Sequence, residues 1–315
     1  MTTVAIIGDG QMGLVLADAL VTRGVNVRVW GPFSEEVTNL AKTRKSPRLS
    51  GFQLPDEVEV CTASEEVLTG VDVAINAIPT QFIRKVWGSL CDHVPTGTPI
   101  VSVAKGIEIG TLARPTQVIQ EVVGVRSEVC VLSGPTIATE LAIHQPAAMV
   151  ASSNDASVAS LVQDLFNVPW LRIYTHEDPI GVELAGATKN VIAIAAGMCD
   201  GIELGDNAKS AMLSRGLAEI SRLGVAMGAS VETFFGIAGV GDLATTCFSP
   251  HGRNRTCGER LGRGEDLDTI QKTMDSVVEG VSTTKAVREL AAKYNVEMPI
   301  SEAIYQVLFE RLPMR

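Results

Sequence analysis

Short β-branched runs alternate with helical stretches along the first half of the chain. Residues 4–7 (VAII) are continuously apolar and predict a buried strand. Residues 13–23 space their apolar positions as a helix does, and 25–30 predict a second strand. Further strands are expected over 71–78, 100–104 and 129–132. Apolar strands separated by helices predict a parallel, doubly wound α/β sheet. The strand ends carry Gly8-Asp9-Gly10, Pro79-Thr80-Gln81, Lys105-Gly106 and Ser133-Gly134-Pro135-Thr136. Ligands of open α/β sheets bind beyond these carboxyl ends. Turn formers belong there on packing grounds alone; Lys105 does not.

From about residue 180 the pattern changes. Residues 181–198 are apolar nearly all round, as in a helix buried on every side. Helical periodicity returns over 210–227, 268–274, 282–294 and 301–310. The expected organisation is an N-terminal domain over 1–180 and a helical domain over 181–315.

Composition narrows the function classes. Of 315 residues, 46% are hydrophobic and 20% charged, a globular rather than a disordered balance. Only 4% are aromatic, so aliphatic side chains must fill the core. The net charge of −10 argues against nonspecific nucleic-acid binding and requires any anionic substrate to be held by a local basic site. Cysteines 61, 91, 130, 199, 247 and 257 contain no CxxC pair, and the four histidines lack ligand spacing. Reduced thiols, a cytoplasmic location and no metal are expected. No stretch reaches the ~18 apolar residues of a membrane span.

Gly8-x-Gly10-x-x-Gly13 closes the first strand and opens a helix, the context that makes this motif a dinucleotide fingerprint. Gly8 permits the tight turn, Gly10 lets a diphosphate approach the backbone, and Gly13 lets helix and strand pack closely. The second strand ends at Val29-Trp30-Gly31-Pro32, with no carboxylate at its tip for an NAD ribose; Glu35 and Glu36 follow. Lys42, Arg44, Lys45 and Arg48 either supply charge for a 2′-phosphate or form a solvated basic stretch. The balance favours NADP over NAD.

Lys189 falls within the apolar helical pattern. Burial would lower its pKa, as proton transfer near neutrality requires, although a lysine there can also snorkel or serve a structural ion pair. Asp242 stands in a glycine-rich turn, where it could hold a lysine, bind a hydroxyl or cap the next helix. His251-Gly252-Arg253-Asn254-Arg255 offers dense donors for a phosphate, or a solvated loop.

These segments together resemble the bacterial type of NAD(P)-dependent glycerol-3-phosphate dehydrogenase. GDGQMG at 8–13, AKGIE at 104–108, SGPTIATE at 133–140, GATKNVIAIAAGMCDG at 186–201, RGLAEISRLG at 215–224, AGVGDLATTC at 238–247, GRNR at 252–255 and VVEG at 277–280 carry the likeness. The resemblance implies a Rossmann-like domain followed by an all-helical domain. It implies Lys189 as the proton-transfer residue, with Lys105 and Asp242 beside it. It implies substrate contacts from Gly134, Thr136, Lys105, Lys189, Asp242, Gly252, Arg253 and Asn254. Gly8, Gly10, Gln11, Met12, Gly13, Lys105, Ala138, Arg253, Val277 and Glu279 would meet the dinucleotide. Gly252 departs from a serine common in the family and removes one hydroxyl contact. The implied partners are glycerol 3-phosphate and dihydroxyacetone phosphate, with a homodimer as the expected assembly. Two alternatives stay open on the residues alone: a hydroxyacid dehydrogenase relative, and a silent dinucleotide sensor.

Overall fold

The computed structural model describes residues 2–274 and 277–314; the outermost residues of the two expected domains, Met1 and Arg315, lie outside that range. The chain forms two compact units. One comprises the residues up to Ala104 together with Pro115–Pro179; the other comprises Lys105–Arg114 together with the residues from Ile180 onward. Residues 105–114 thus cluster with the helical unit.

The first unit is built on strands β1 (Thr3–Ile7), β2 (Asn26–Trp30), β3 (Glu59–Val60), β4 (Val73–Asn76), β5 (Ile100–Ser102), β6 (Val129–Ser133), β7 (Ala147–Ser153) and β8 (Leu171–His176). Its helices are α1 (Gln11–Thr22), α2 (Ser34–Thr43), α3 (Ser64–Val67), α4 (Ile83–Leu90), α5 (Pro115–Val123), α6 (Ala138–Leu141) and α7 (Ala156–Phe166). The strands form one sheet in the order β3-β2-β1-β4-β5-β6-β7-β8. Every pairing is parallel except β6 with β7. The fold is the expected Rossmann-like doubly wound sheet, with one antiparallel junction near the β8 edge.

The chain winds outward from β1 through β2 and β3, then returns to place β4 on the other side of β1. That reversal is the switch point at which such sheets open a ligand crevice. Val4, Ala5, Ile6 and Ile7 are wholly buried, as expected of a strand covered on both faces. The crevice begins where β1 ends. Gly8 adopts φ +124°, and a side chain there would run into the Ala77 carbonyl. Only glycine suits both conditions.

The second unit contains α8 (Pro179–Gly201), α9 (Gly205–Ala226), α10 (Val231–Phe235), α11 (Asp242–Phe248), α12 (Arg253–Gly262), α13 (Leu267–Thr273), α14 (Glu279–Tyr294) and α15 (Pro299–Phe309). A π-type turn, Ile237–Gly241, leads into α11. Every residue of α8 from Gly181 to Met198 is buried. α8 is also, among the described residues, long and apolar enough to cross a membrane, with 94% of its most apolar window buried. The expectation that no stretch reaches that length is corrected to this extent; the burial makes α8 the axis of its unit's core.

Small residues let backbones meet along that axis. A side chain on Gly258 of α12 would overlap the Ile194 carbonyl of α8. Two buried carboxylates anchor the remainder. Glu183 of α8 pairs with Arg114 and ties residues 105–114 to the unit. Glu219 of α9 accepts from the Ile300 and Ser301 backbone N–H groups at 2.7 and 3.1 Å. It thereby satisfies two donors left open at the start of α15.

Candidate active site

In the first unit the glycine loop passes directly into α1. Gly10 is the N-cap, and no side chain caps the helix. Nothing lies within 4 Å of where a Gly10 side chain would project. The leading N–H groups, including those of Gln11, Met12 and Gly13, form an anion-binding helix start without a protein acceptor supplied by a cap. Gly13 packs α1 against the Gly8 carbonyl and Ile6. Gln11 adds a further tie, its side-chain amide donating to the Arg48 carbonyl. These residues fit a dinucleotide diphosphate: a turn of the right shape, open space and unclaimed donors.

Gly134, Thr136 and Ala138 follow the end of β6. The Thr136 hydroxyl donates to the Gly134 carbonyl at 3.1 Å, and Ala138 opens α6.

The second unit gathers the titratable residues. Asp242, almost completely buried, receives two ammonium groups. Lys189 Nζ donates to its Oδ1 at 2.6 Å and Lys105 Nζ to its Oδ2 at 2.8 Å. Lys189 also donates to the Thr246 hydroxyl at 3.0 Å. Burial pulls the Lys189 ammonium down to about 8; the Asp242 carboxylate opposes that fall, and the Lys105 charge adds to it. Two ammoniums on one carboxylate leave a local charge of +1, a basic point within an acidic chain. Asp242 is the first residue of α11, and its side chain makes no cap. Of the roles the sequence left open, it holds the lysines.

The donor run at 251–255 divides. Gly252 is the N-cap of α12, and Arg253 and Asn254 form its first turn. Arg253 lies 3.5 Å from the Val277 carbonyl. Asn254 accepts the Gly280 N–H at 2.9 Å through its side-chain oxygen, which leaves its amide N–H donors directed elsewhere. Glu279 opens α14, one residue before that contact. Arg255 serves structure, pairing with Asp200 at 2.6 Å beside Lys209. The backbone links this run to the lysines: a side chain on Gly252 would come within 3.1 Å of the Thr246 carbonyl, and one on Gly280 within 2.7 Å of the Asn190 carbonyl.

Residues 3–159 match the family model for the N-terminus of NAD-dependent glycerol-3-phosphate dehydrogenase, and residues 178–315 match the model for its C-terminus. The chain belongs to that family. It is 44% identical to a glycerol-3-phosphate dehydrogenase [NAD(P)+] of Chlorobium limicola, covering 99% of this chain and 95% of the relative. A Geobacillus kaustophilus relative of the same description is also 44% identical, over 98% of this chain and 91% of its own. The crystal structure of glycerol-3-phosphate dehydrogenase from Coxiella burnetii superposes with a TM-score of 0.95 at 33% identity, covering 99% of this chain and 95% of that one. As a member of this family the chain is an oxidoreductase using NAD(P).

Two polar residues at the site escaped the sequence reading. Thr246 lies four residues after Asp242, one helical turn on, a spacing that could have nominated it. Asn190 follows Lys189 directly and donates to the Lys105 carbonyl at 3.0 Å, fixing the second lysine's backbone. Among the described residues, no group of three or more His, Cys, Asp or Glu is placed to hold a metal ion.

Proposed function

We propose that the protein interconverts dihydroxyacetone phosphate and sn-glycerol 3-phosphate, with Lys189 as the acid/base. The observation that carries this reading is the pair of lysines on the buried Asp242 carboxylate. The bound nicotinamide supplies the hydride in reduction and accepts it in oxidation. Lys189 gives its proton to the substrate C2 oxygen in reduction and takes it back in oxidation. A lysine lowered to about 8 is suited to both directions near neutrality. The Lys105 ammonium adds positive charge where the C2 oxygen becomes an alkoxide. Asp242 holds both ammonium groups, and the Thr246 hydroxyl accepts from Lys189 and limits its rotation.

Arg253 and the free N–H groups of Asn254 bind the substrate phosphate, the guanidinium through two oxygens. The Gly252 N–H adds a backbone donor. Gly134 and Thr136 contribute further substrate contacts. Gly8, Gly10, Gln11, Met12, Gly13 and Ala138 hold the dinucleotide, together with Lys105, Arg253, Val277 and Glu279. In this reading the residues up to 180, apart from 105–114, are the cofactor domain, and those from 181, joined by 105–114, the catalytic domain. The enzyme is a cytoplasmic homodimer supplying glycerol 3-phosphate to phospholipid synthesis.

The test is the loss of reduced-nicotinamide absorbance on adding dihydroxyacetone phosphate. Lys189→Ala should lower turnover by a factor of about 100 or more, the usual scale of general acid catalysis, and leave the dissociation constant for the reduced dinucleotide unchanged. Wild-type-like turnover in Lys189→Ala would remove that residue from the mechanism. Equal activity with unphosphorylated dihydroxyacetone would remove the phosphate site.

A further inference from the structure

The tip of β2 bears no acidic side chain, but the glycine loop brings one to it. Asp9, only 7% exposed, lies so close to Gly31, the first residue after β2, that a side chain on Gly31 would overlap its carboxylate. Asp9 faces a pocket of about 190 Å³ together with Glu35, Glu36, Lys45 and Arg48. This pocket adjoins the diphosphate loop and lies beyond the carboxyl end of β2, where such folds hold the adenine ribose.

We infer that Asp9 makes the adenosine end of this site selective for NAD over NADP. The inference rests on the dehydrogenase reading above and deepens it. A ribose 2′-hydroxyl can donate to the Asp9 carboxylate. A 2′-phosphate, with about two negative charges, meets three carboxylates there and two cations. One of the two cations is already committed. Arg48 Nη2 reaches Glu36 at 2.6 Å. Arg44 turns away, donating to the Val58 and Asp56 carbonyls at 2.6 and 3.1 Å. Lys42 does not line the pocket, and Lys45 stands exposed at its rim. The Gln11 bond to the Arg48 carbonyl holds residue 48 against the glycine loop, so the Arg48–Glu36 pair is fixed beside Asp9. Electrostatic coupling of Asp9 to both Arg48 and Glu36 accords with this placement. The two arginines of the basic stretch that the sequence offered to a 2′-phosphate are thus spent on Glu36 and on loop carbonyls. The carboxylate missing from the strand tip arrives from another loop.

The test is calorimetric titration of the full-length protein, without substrate, by NADH and by NADPH. The wild type should bind NADH more tightly by about tenfold or more. Asp9→Ser, which puts a neutral hydroxyl in place of the carboxylate, should bring the ratio of the two constants towards one, mainly by tightening NADPH. Should Asp9→Ser melt early, the isosteric Asp9→Asn makes the same comparison. NADPH binding as tight as NADH in the wild type overturns the inference, and so does a ratio that neither variant changes. Adding dihydroxyacetone phosphate separates this outcome from the reaction itself. Rapid turnover with equal binding sinks the selectivity alone; selective NADH binding without turnover sinks the reaction and leaves the selectivity standing. Binding of neither nucleotide overturns both.

Discussion

Lys189 sits at about 8 because three effects compete over one ammonium: burial lowers it, Asp242 raises it and Lys105 lowers it. The signs decide what each neighbour does to the pH profile. Reduction needs the protonated amine, so its rate should fall as pH rises through about 8, while oxidation should rise over the same interval. Lys105→Met removes a like charge and should move both limbs to higher pH. Asp242→Asn removes the opposing charge and should move them to lower pH. Profiles of kcat for the three proteins check this; a limb that stays in place in Lys105→Met would show that Lys105 acts on substrate alone. The lysine itself was legible in the sequence, because a charged residue within an apolar helical pattern is conspicuous. Asp242 was singled out as well, but its role stayed open, since an aspartate at a helix start is as often a cap and only its side-chain direction separates the two roles. Arg255 and Arg253 share a basic run, and nothing in that run tells that one is spent on Asp200. Asp9 was hidden in the same way: sequence distance placed it with the diphosphate, and folding brought it to the tip of β2.

Helix α8 fixes Lys189 in position only if its neighbours can approach its backbone. Gly258 is where α12 does so, and any side chain there would overlap the Ile194 carbonyl. Gly258→Ala should therefore destabilise the protein by about 1–3 kcal/mol, the usual scale of overpacking. It should also raise KM for dihydroxyacetone phosphate, because α12 begins with Arg253 and Asn254. Gly88 in α4 is the contrasting case: nothing lies within 4 Å of a side chain there. Gly88→Ala should stabilise by about 0.5–1 kcal/mol through helix propensity. Thermal melts of the two variants moving the same way would contradict this account of α8. The elements themselves were legible where pattern and length agreed. Strands β1, β2, β4, β5 and β6 fell within about two residues of expectation, as did α1, α13 and α15, whereas α8, α9 and α14 begin two, five and three residues before their expected ranges. Strand β7 was missed because its sequence, AAMVASS, is rich in Ala and Ser and has weak strand character. Strand β8 alternates buried and exposed positions at the sheet edge, and β3 is only two residues long. The short helices α10, α11 and α12 follow glycine-rich or charged stretches, and tertiary packing gives them a helical form that local pattern does not announce.

Each unit closes around its own apolar core, and the cysteines report on the two cores separately. Cys130 belongs to the core of the sheet unit; Cys247 and Cys257 belong to that of the helical unit. Cys61 is also buried, beyond the end of the two-residue strand β3, while Cys91 and Cys199 are half-buried. Burial pushes the Cys247 thiol up to about 12 and the Cys61 and Cys257 thiols up to about 11. Thiolate is the reacting species, so burial protects these residues twice, by blocking access and by suppressing ionisation. In the native protein an alkylating reagent near pH 8, well below those values, should therefore modify Cys91 first and Cys199 more slowly, since burial also raises the latter. With rising urea, Cys247 and Cys257 should become reactive together, because one core covers both. Peptide mass analysis after timed alkylation reads this order directly. Cys247 follows Thr246, which accepts from Lys189, so its protection also measures how firmly that lysine is closed off. Native-state alkylation of Cys247 as fast as that of Cys91 would mean that the helical core opens readily, and a lysine exposed that often could not be held at about 8 by burial.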